Sequence, residues 1–232
     1  MLSRWTPERG SIWKGLLELL KADLHIHTKY SMDCNTPLES IITRCNELGI
    51  NCIAIADHGT VEGALQMQEL APFTVLVAEE ILTPQGEIMG VFLKQTIPTC
   101  KSAREAIERI RAQDALVCIP HPFDTFRGLR MNQREVEELV GEIDIIEAFN
   151  ARCPFPWPTT KATTFADRHG IVKSAGSDAH SPAEIGNAYV EMPEFSDKEG
   201  YLRALAKGKI RGFRSNPLVH FRTLWAKLMR AF

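Results

Sequence analysis

No apolar run in the sequence reaches the roughly 20 residues needed to span a bilayer. The N-terminus also lacks the basic, apolar and small-residue order of a signal peptide. Long basic runs are missing too, and the formal net charge is −2, so no docking surface for long duplex nucleic acid is expected. The six cysteines (Cys34, Cys45, Cys52, Cys100, Cys118 and Cys153) form no Cys-x-x-Cys pair. Such scatter in a chain of 232 residues argues for reduced thiols in the cytoplasm rather than a disulfide framework. Internal repeats and low-complexity segments are absent. What is there is 44% hydrophobic and 24% charged, the composition of a globular chain with one sizeable core.

Asp23-Leu24-His25-Ile26-His27-Thr28 reads as a short strand near the start. Alternate strand residues share a face, so His25 and His27 aim the same way, a natural half of a metal site. A helix over 11–20 is expected before this strand and a polar loop with Asp33 after it. Thr36, Pro37 and Glu39 carry capping-box and helix-start signals for a helix that runs to Gly49. Strands are expected over 51–57, 74–82, 86–93, 115–119, 144–149, 171–174 and 188–192. Helices are expected over 61–70, from the Ser102/Glu105 capping box to 113, and over 133–140, 159–169 and 197–207. Alternating strands and helices imply parallel β-α units, and the number of units implies a barrel. The region from Glu79 to Leu93 reads instead as a hairpin, which predicts an irregular barrel. The chain divides into a helical extension over 1–20, a barrel domain over 21–215 and an amphipathic tail over 216–232.

Eight nitrogen- and oxygen-bearing residues fall at or just after strand ends: His25, His27, Asp33, His58, Glu80, His121, Asp178 and His180. Five of the seven histidines are among them; His169 and His220 are given no chemical role. Singly, each has a bland reading. His121 sits between two prolines as a turn residue would, Asp178 suits a cap, and Glu80 suits an outer strand face. Together they would be a costly accident, because unpaired buried polar groups are expensive. They exceed the needs of one four-coordinate ion, and mixed imidazole and carboxylate donors suit zinc, manganese or iron.

Four blocks then carry a resemblance: Asp23-Leu24-His25-Ile26-His27-Thr28, Ile55-Ala56-Asp57-His58, Pro120-His121-Pro122 and Ser177-Asp178-Ala179-His180. As a set they resemble the four motifs of the polymerase and histidinol phosphatase (PHP) family, over nearly the whole chain. The resemblance implies an α/β fold, a distorted seven-stranded (β/α) barrel with a metal cluster at the C-terminal mouth of its strands. It places His25, His27, Glu80 and Asp178 on one ion, and Asp33, His58 and His180 on another. Glu80, bridging, and His121 contribute to a third. Glu80 is preferred to Glu79 because Ala78-Glu79-Glu80 resembles the family's Gly-x-Glu, and only one of two adjacent strand residues reaches the cluster. The chain departs from the family at Met89, which follows Gly86-Glu87-Ile88 where many members have a histidine. A thioether is a poor ligand here, so two divalent ions are expected and the third position is in doubt.

A metal-dependent phosphoesterase follows, with a metal-bound hydroxide and no side-chain nucleophile. The substrate is a small phosphorylated molecule, such as a nucleotide, a short oligonucleotide or another phosphomonoester. Arg130, Arg152 and Arg127 are placed to hold phosphate, since the guanidinium fork matches its geometry. Asp57 is expected to orient His58. Two alternatives keep the cluster: a hydrolase of amides or lactones, and a non-catalytic metal-binding module with a protein partner. In the tail, Leu218, Phe221, Trp225, Leu228 and Phe232 fall at helical spacing. That stripe packs on the barrel, forms a homo-oligomer contact or, least favoured, lies on a membrane surface.

Overall fold

The computed structural model of the protein describes residues 19–125 and 131–216. The expected tail stripe, Arg127, Arg130 and most of the N-terminal helix lie outside them. Within them, strands and helices alternate as β1 (Leu20–Ile26), α1 (Leu38–Leu48), β2 (Cys52–Ile55), α2 (Glu62–Leu70) and β3 (Thr74–Thr83). The chain continues as β4 (Gly86–Val91), α3 (Ala103–Ala112), β5 (Leu116–Ile119), α4 (Gln133–Glu138), β6 (Ile145–Asn150) and α5 (Pro156–His169). It ends as β7 (Val172–Gly176), β8 (Ala188–Met192), α6 (Lys198–Ala206) and β9 (Lys209–Gly212). No helix among the described residues is long and apolar enough to cross a membrane.

The nine strands form one sheet in the order β7-β6-β5-β4-β3-β2-β1-β8-β9. Its two ends nearly meet. Just beyond β7, Asp178 donates its N–H to the His25 carbonyl at 2.8 Å, and His27 donates to the Ala179 carbonyl at 3.0 Å. Strands β1 to β7 therefore make the expected seven-stranded barrel, and β8 and β9 extend it as antiparallel additions. The hairpin also stands: β3 pairs antiparallel with β4, and β4 with β5, while β1-β2-β3 and β5-β6-β7 are parallel.

Alternation divides the apolar residues into two layers. Cys52, Ala54 and Ala56 fill the barrel interior with Leu76, Ala78, Met89 and Cys118. Ile53 and Ile55 point outward and pack under the helices with Ile41, Ile107 and Ile110. In β1 the phase reverses. Leu20, Ala22 and Leu24 join the interior layer but Ile26 joins the outer one, across a register shift between Asp23 and Ile26. That irregularity turns His25 and His27 toward the mouth.

Several expected boundaries move. Leu20 belongs to β1 rather than to the end of a helix. Helix α1 starts without a side-chain cap, because Thr36 donates its hydroxyl to the His180 carbonyl at 2.9 Å instead of capping. Gly49 does close α1 in the left-handed conformation, at φ 66°. Ser102 caps α3 by accepting from the Glu105 N–H, whereas the Glu105 carboxylate accepts from Lys101. Helix α5 begins at Pro156, earlier than expected, and the short β9 was not foreseen.

Candidate metal centre

All eight predicted residues converge at the C-terminal ends of the strands, and Glu80 stands at the middle. It follows Leu76 and Ala78 on the interior face of β3 and is fully buried. Glu79 faces the other way, where its carboxylate accepts from the Ile97 N–H at 2.8 Å. Glu80 Oε2 lies 3.4 Å from His25 Nε2, 3.3 Å from His27 Nε2 and 3.6 Å from His58 Nδ1. Its Oε1 meets His121 Nε2 at 2.7 Å. Asp178 Oδ1 completes the first group, 3.3 Å from His27 Nε2 and 3.8 Å from His25 Nε2. Asp33 Oδ2 builds a second group, 3.5 Å from His58 Nε2 and 3.2 Å from His180 Nε2. Two of these residues sit in the left-handed region that side chains rarely adopt, His121 at φ 28° and Asp178 at φ 54°. Strain of that kind persists where surrounding structure enforces a functional geometry.

Two further carboxylates belong to the site. Glu147 on β6 takes His25 Nδ1 at 3.0 Å, which leaves Nε2 aimed at Glu80. Its other oxygen accepts from the His121 N–H at 2.7 Å and from Asn150 Nδ2 at 3.0 Å. Glu87 on β4 places Oε2 3.4 Å from His121 Nε2. Sequence reasoning missed Glu147, whose one signal is a carboxylate inside the apolar run Ile145-Ile146-Glu147-Ala148. Asp57, by contrast, does not orient His58 with its carboxylate. That group accepts from Thr28 N–H and Oγ1, both at 2.6 Å, and pins the end of β1. Arg152 is buried, with Nη1 3.4 Å from the Asp178 carbonyl and Nε 3.6 Å from Glu184 Oε1.

The electrostatics call for positive charge at the centre. Burial disfavours charge on His27, yet the Asp178 and Glu80 carboxylates outweigh it and raise its pKa to about 10. Burial also opposes ionisation of Glu80 and Asp33, and the surrounding imidazoles hold both well below the usual carboxylate range. Three buried atoms at the focus, Glu80 Oε2, His27 Nδ1 and His58 Nδ1, have no hydrogen-bond partner. Orphaned polar atoms this deep are costly without a cation or another partner. Among the described residues, four sets of donors come within 4.8 Å of one another: His25/His27/Glu80, His27/Asp33/His180, His58/Glu80/Glu87 and His25/His121/Glu147. The nitrogen and oxygen donors fit divalent transition ions.

The PHP domain model matches residues 23–111, and the model of the PHP-associated segment matches residues 156–210. An uncharacterized protein of Methanocaldococcus jannaschii is 34% identical over 183 residues, which span 76% of this chain and 72% of the relative. The chain belongs to the PHP family. The two matches contain every metal-centre residue of the chain except His121 and Glu147, which fall between them. Solved structures superpose at low identity. One, from Bacteroides vulgatus, is a two-domain protein whose name includes a PHP-like metal-dependent phosphoesterase. It has a TM-score of 0.69 at 16% identity and covers 90% of this chain and 70% of that one. Another is the lesion-specific endonuclease of Pyrococcus furiosus, with a TM-score of 0.62 at 17% identity, covering 86% of this chain and 60% of that one.

Proposed function

We propose that the protein is a metal-dependent phosphoesterase acting on a small phosphorylated substrate. The observation that carries this reading is Glu80 Oε2, ringed by three imidazoles at 3.3–3.6 Å and bonded to none of them. In this reading His25, His27, Glu80 and Asp178 hold one divalent ion, and Asp33, His58 and His180 hold a second. Zinc, manganese and iron all suit these donors. When bound, such ions activate water and polarise a phosphoryl oxygen. The chain's own groups do the rest. Glu147 fixes the His25 ring, as carboxylates behind metal-binding imidazoles do. The guanidinium of Arg152, braced by Glu184, is preorganised to hold a phosphate oxygen, with Arg127 and Arg130 as further phosphate cations. At the mouth, Phe155 and Trp157 stack with centroids 4.1 Å apart and planes at 20°, and Trp157 is 48% exposed. An exposed aromatic face three residues past Phe155's neighbour Pro154 and close in sequence to Arg152 suits a nucleobase, which favours nucleotides within this substrate class.

Phosphate release from a panel of nucleotides, sugar phosphates and a short DNA oligonucleotide tests the reading. Turnover is expected with Mn²⁺ and is expected to disappear in His25→Ala. Trp157→Ala is expected to raise KM for nucleotides while leaving that for glycerol phosphate unchanged. A metal-loaded protein inert on the whole panel but active on lactones or amides would overturn the phosphoester assignment.

A further inference from the structure

We propose that Glu87 is a metal ligand and completes, with Glu80 and His121, a third ion position that Met89 cannot complete. This rests on reading the cluster as a divalent metal centre. Antiparallel pairing sets Glu80 opposite Met89 and Leu82 opposite Glu87. Alternation then puts Glu87 and Met89 on the same face as Glu80. The Met89 side chain is spent elsewhere: the residue is 2% exposed and packs in the apolar interior layer with Ala78, Val91 and Cys118. Glu87 lies one pleat nearer the hairpin turn, and its carboxylate reaches the cluster.

There its Oε2 is 3.4 Å from His121 Nε2, which also meets Glu80 Oε1 at 2.7 Å. One ring nitrogen thus faces two carboxylates, although an imidazole N–H makes one good hydrogen bond. A donor oxygen of Glu87 also comes within 4.8 Å of donors of His58 and Glu80. The Glu87 side chain is only 10% exposed. The left-handed backbone at His121 fixes the ring between the two carboxylates.

Two carboxylates and one imidazole make a harder donor set than the paired imidazoles of His25 and His27. The third position therefore favours Zn²⁺ over Mn²⁺ by less than a position completed by a histidine at residue 89 would.

The test is metal counting by elemental analysis after equilibrium dialysis of chelator-stripped full-length protein against Mn²⁺. The wild type is expected to bind three equivalents, and Glu87→Gln two. Met89→Leu is expected to keep three. Glu87→Gln/Met89→His is expected to regain the third equivalent and to favour Zn²⁺ over Mn²⁺ more strongly than the wild type does. Circular dichroism checks that each variant is folded. Should Glu87→Gln fail to fold, Glu87→Asp replaces it, with the third equivalent expected to bind at least about tenfold more weakly. Saturation of the wild type at two equivalents, or three equivalents retained in Glu87→Gln at unchanged affinity, would overturn the proposal. Phosphate release from the same samples separates the two readings. Three ions with no turnover on any phosphoester defeats the phosphoesterase and leaves Glu87 a ligand. Turnover with two ions defeats the Glu87 assignment alone.

Discussion

Glu147 touches no predicted ligand except His25 and the backbone of His121, yet it decides where both point. Its carboxylate takes Nδ1 of the first and the N–H of the second. Glu147→Gln keeps the size and removes the charge, so metal affinity is expected to fall about 10- to 100-fold with the fold intact. Titration of the stripped protein with Mn²⁺ measures this, and an unchanged affinity would reduce Glu147 to packing. The cysteines make a second test at this scale. Burial pushes the Cys34 thiol up to about 11 and those of Cys45 and Cys52 up to about 12. Thiolate is the reactive form. All six cysteines are buried, so none is expected to react with a disulfide reagent at pH 8 in the native protein, and all six in denaturant. A thiol pKa raised by folding also fixes a sign. The stability it contributes is full below the ordinary value of 9.0 and is lost as pH rises toward 12. The histidines of the centre were legible in sequence because imidazoles recur at strand ends. Alternation showed that only one of Glu79 and Glu80 could reach the centre, and the likeness of Ala78-Glu79-Glu80 to the family's Gly-x-Glu chose Glu80. Glu147 stood out only as a carboxylate in an apolar run, and the face it takes was not legible, because it depends on a register irregularity between Glu147 and Phe149.

At the scale of the element, the closure of β7 against β1 sets the site. A Cβ on Gly176 would lie 2.3 Å from His25 Cβ and 2.7 Å from His25 N. Gly176→Ala must therefore push β1 and β7 apart, at a cost of about 1–3 kcal/mol or more. A lowered Tm together with weakened metal binding is expected. A lowered Tm with unchanged metal binding would mean that the closure does not position His25. The misread start of α1 has a related cause. Thr36 resembles a cap, but the carbonyl of His180 competes for its hydroxyl and wins because the loop after β7 packs there. Local signals forecast caps well only where no tertiary partner is within reach. Helix α4 shows the converse, since Asn132 and Glu135 form a full capping box at its start. Strand β9 was invisible because Lys209–Gly212 is a short, largely exposed edge with no apolar alternation to read.

At the scale of the molecule, the barrel brings the first and last motifs side by side. His25 and His27 stand on β1, and Asp178 and His180 follow β7, yet the two segments exchange backbone hydrogen bonds. The alternation of strands and helices made the barrel legible. Strand β8 was legible too, but its antiparallel pairing with β1 and the further addition of β9 were not, because topology beyond closure leaves no local pattern. The outer apolar layer holds this arrangement together. Ile53 is fully buried within it, and Ile53→Ala is expected to cost about 2–5 kcal/mol in denaturant unfolding. The central claim is that the mouth of this barrel is a polynuclear metal centre organised around Glu80. The most direct test is elemental analysis of the protein purified without chelator, beside Glu80→Gln prepared in the same way. The account predicts at least two equivalents of divalent metal in the wild type and a clear loss in the variant. One equivalent or none in the wild type, or no difference between the two, would contradict it.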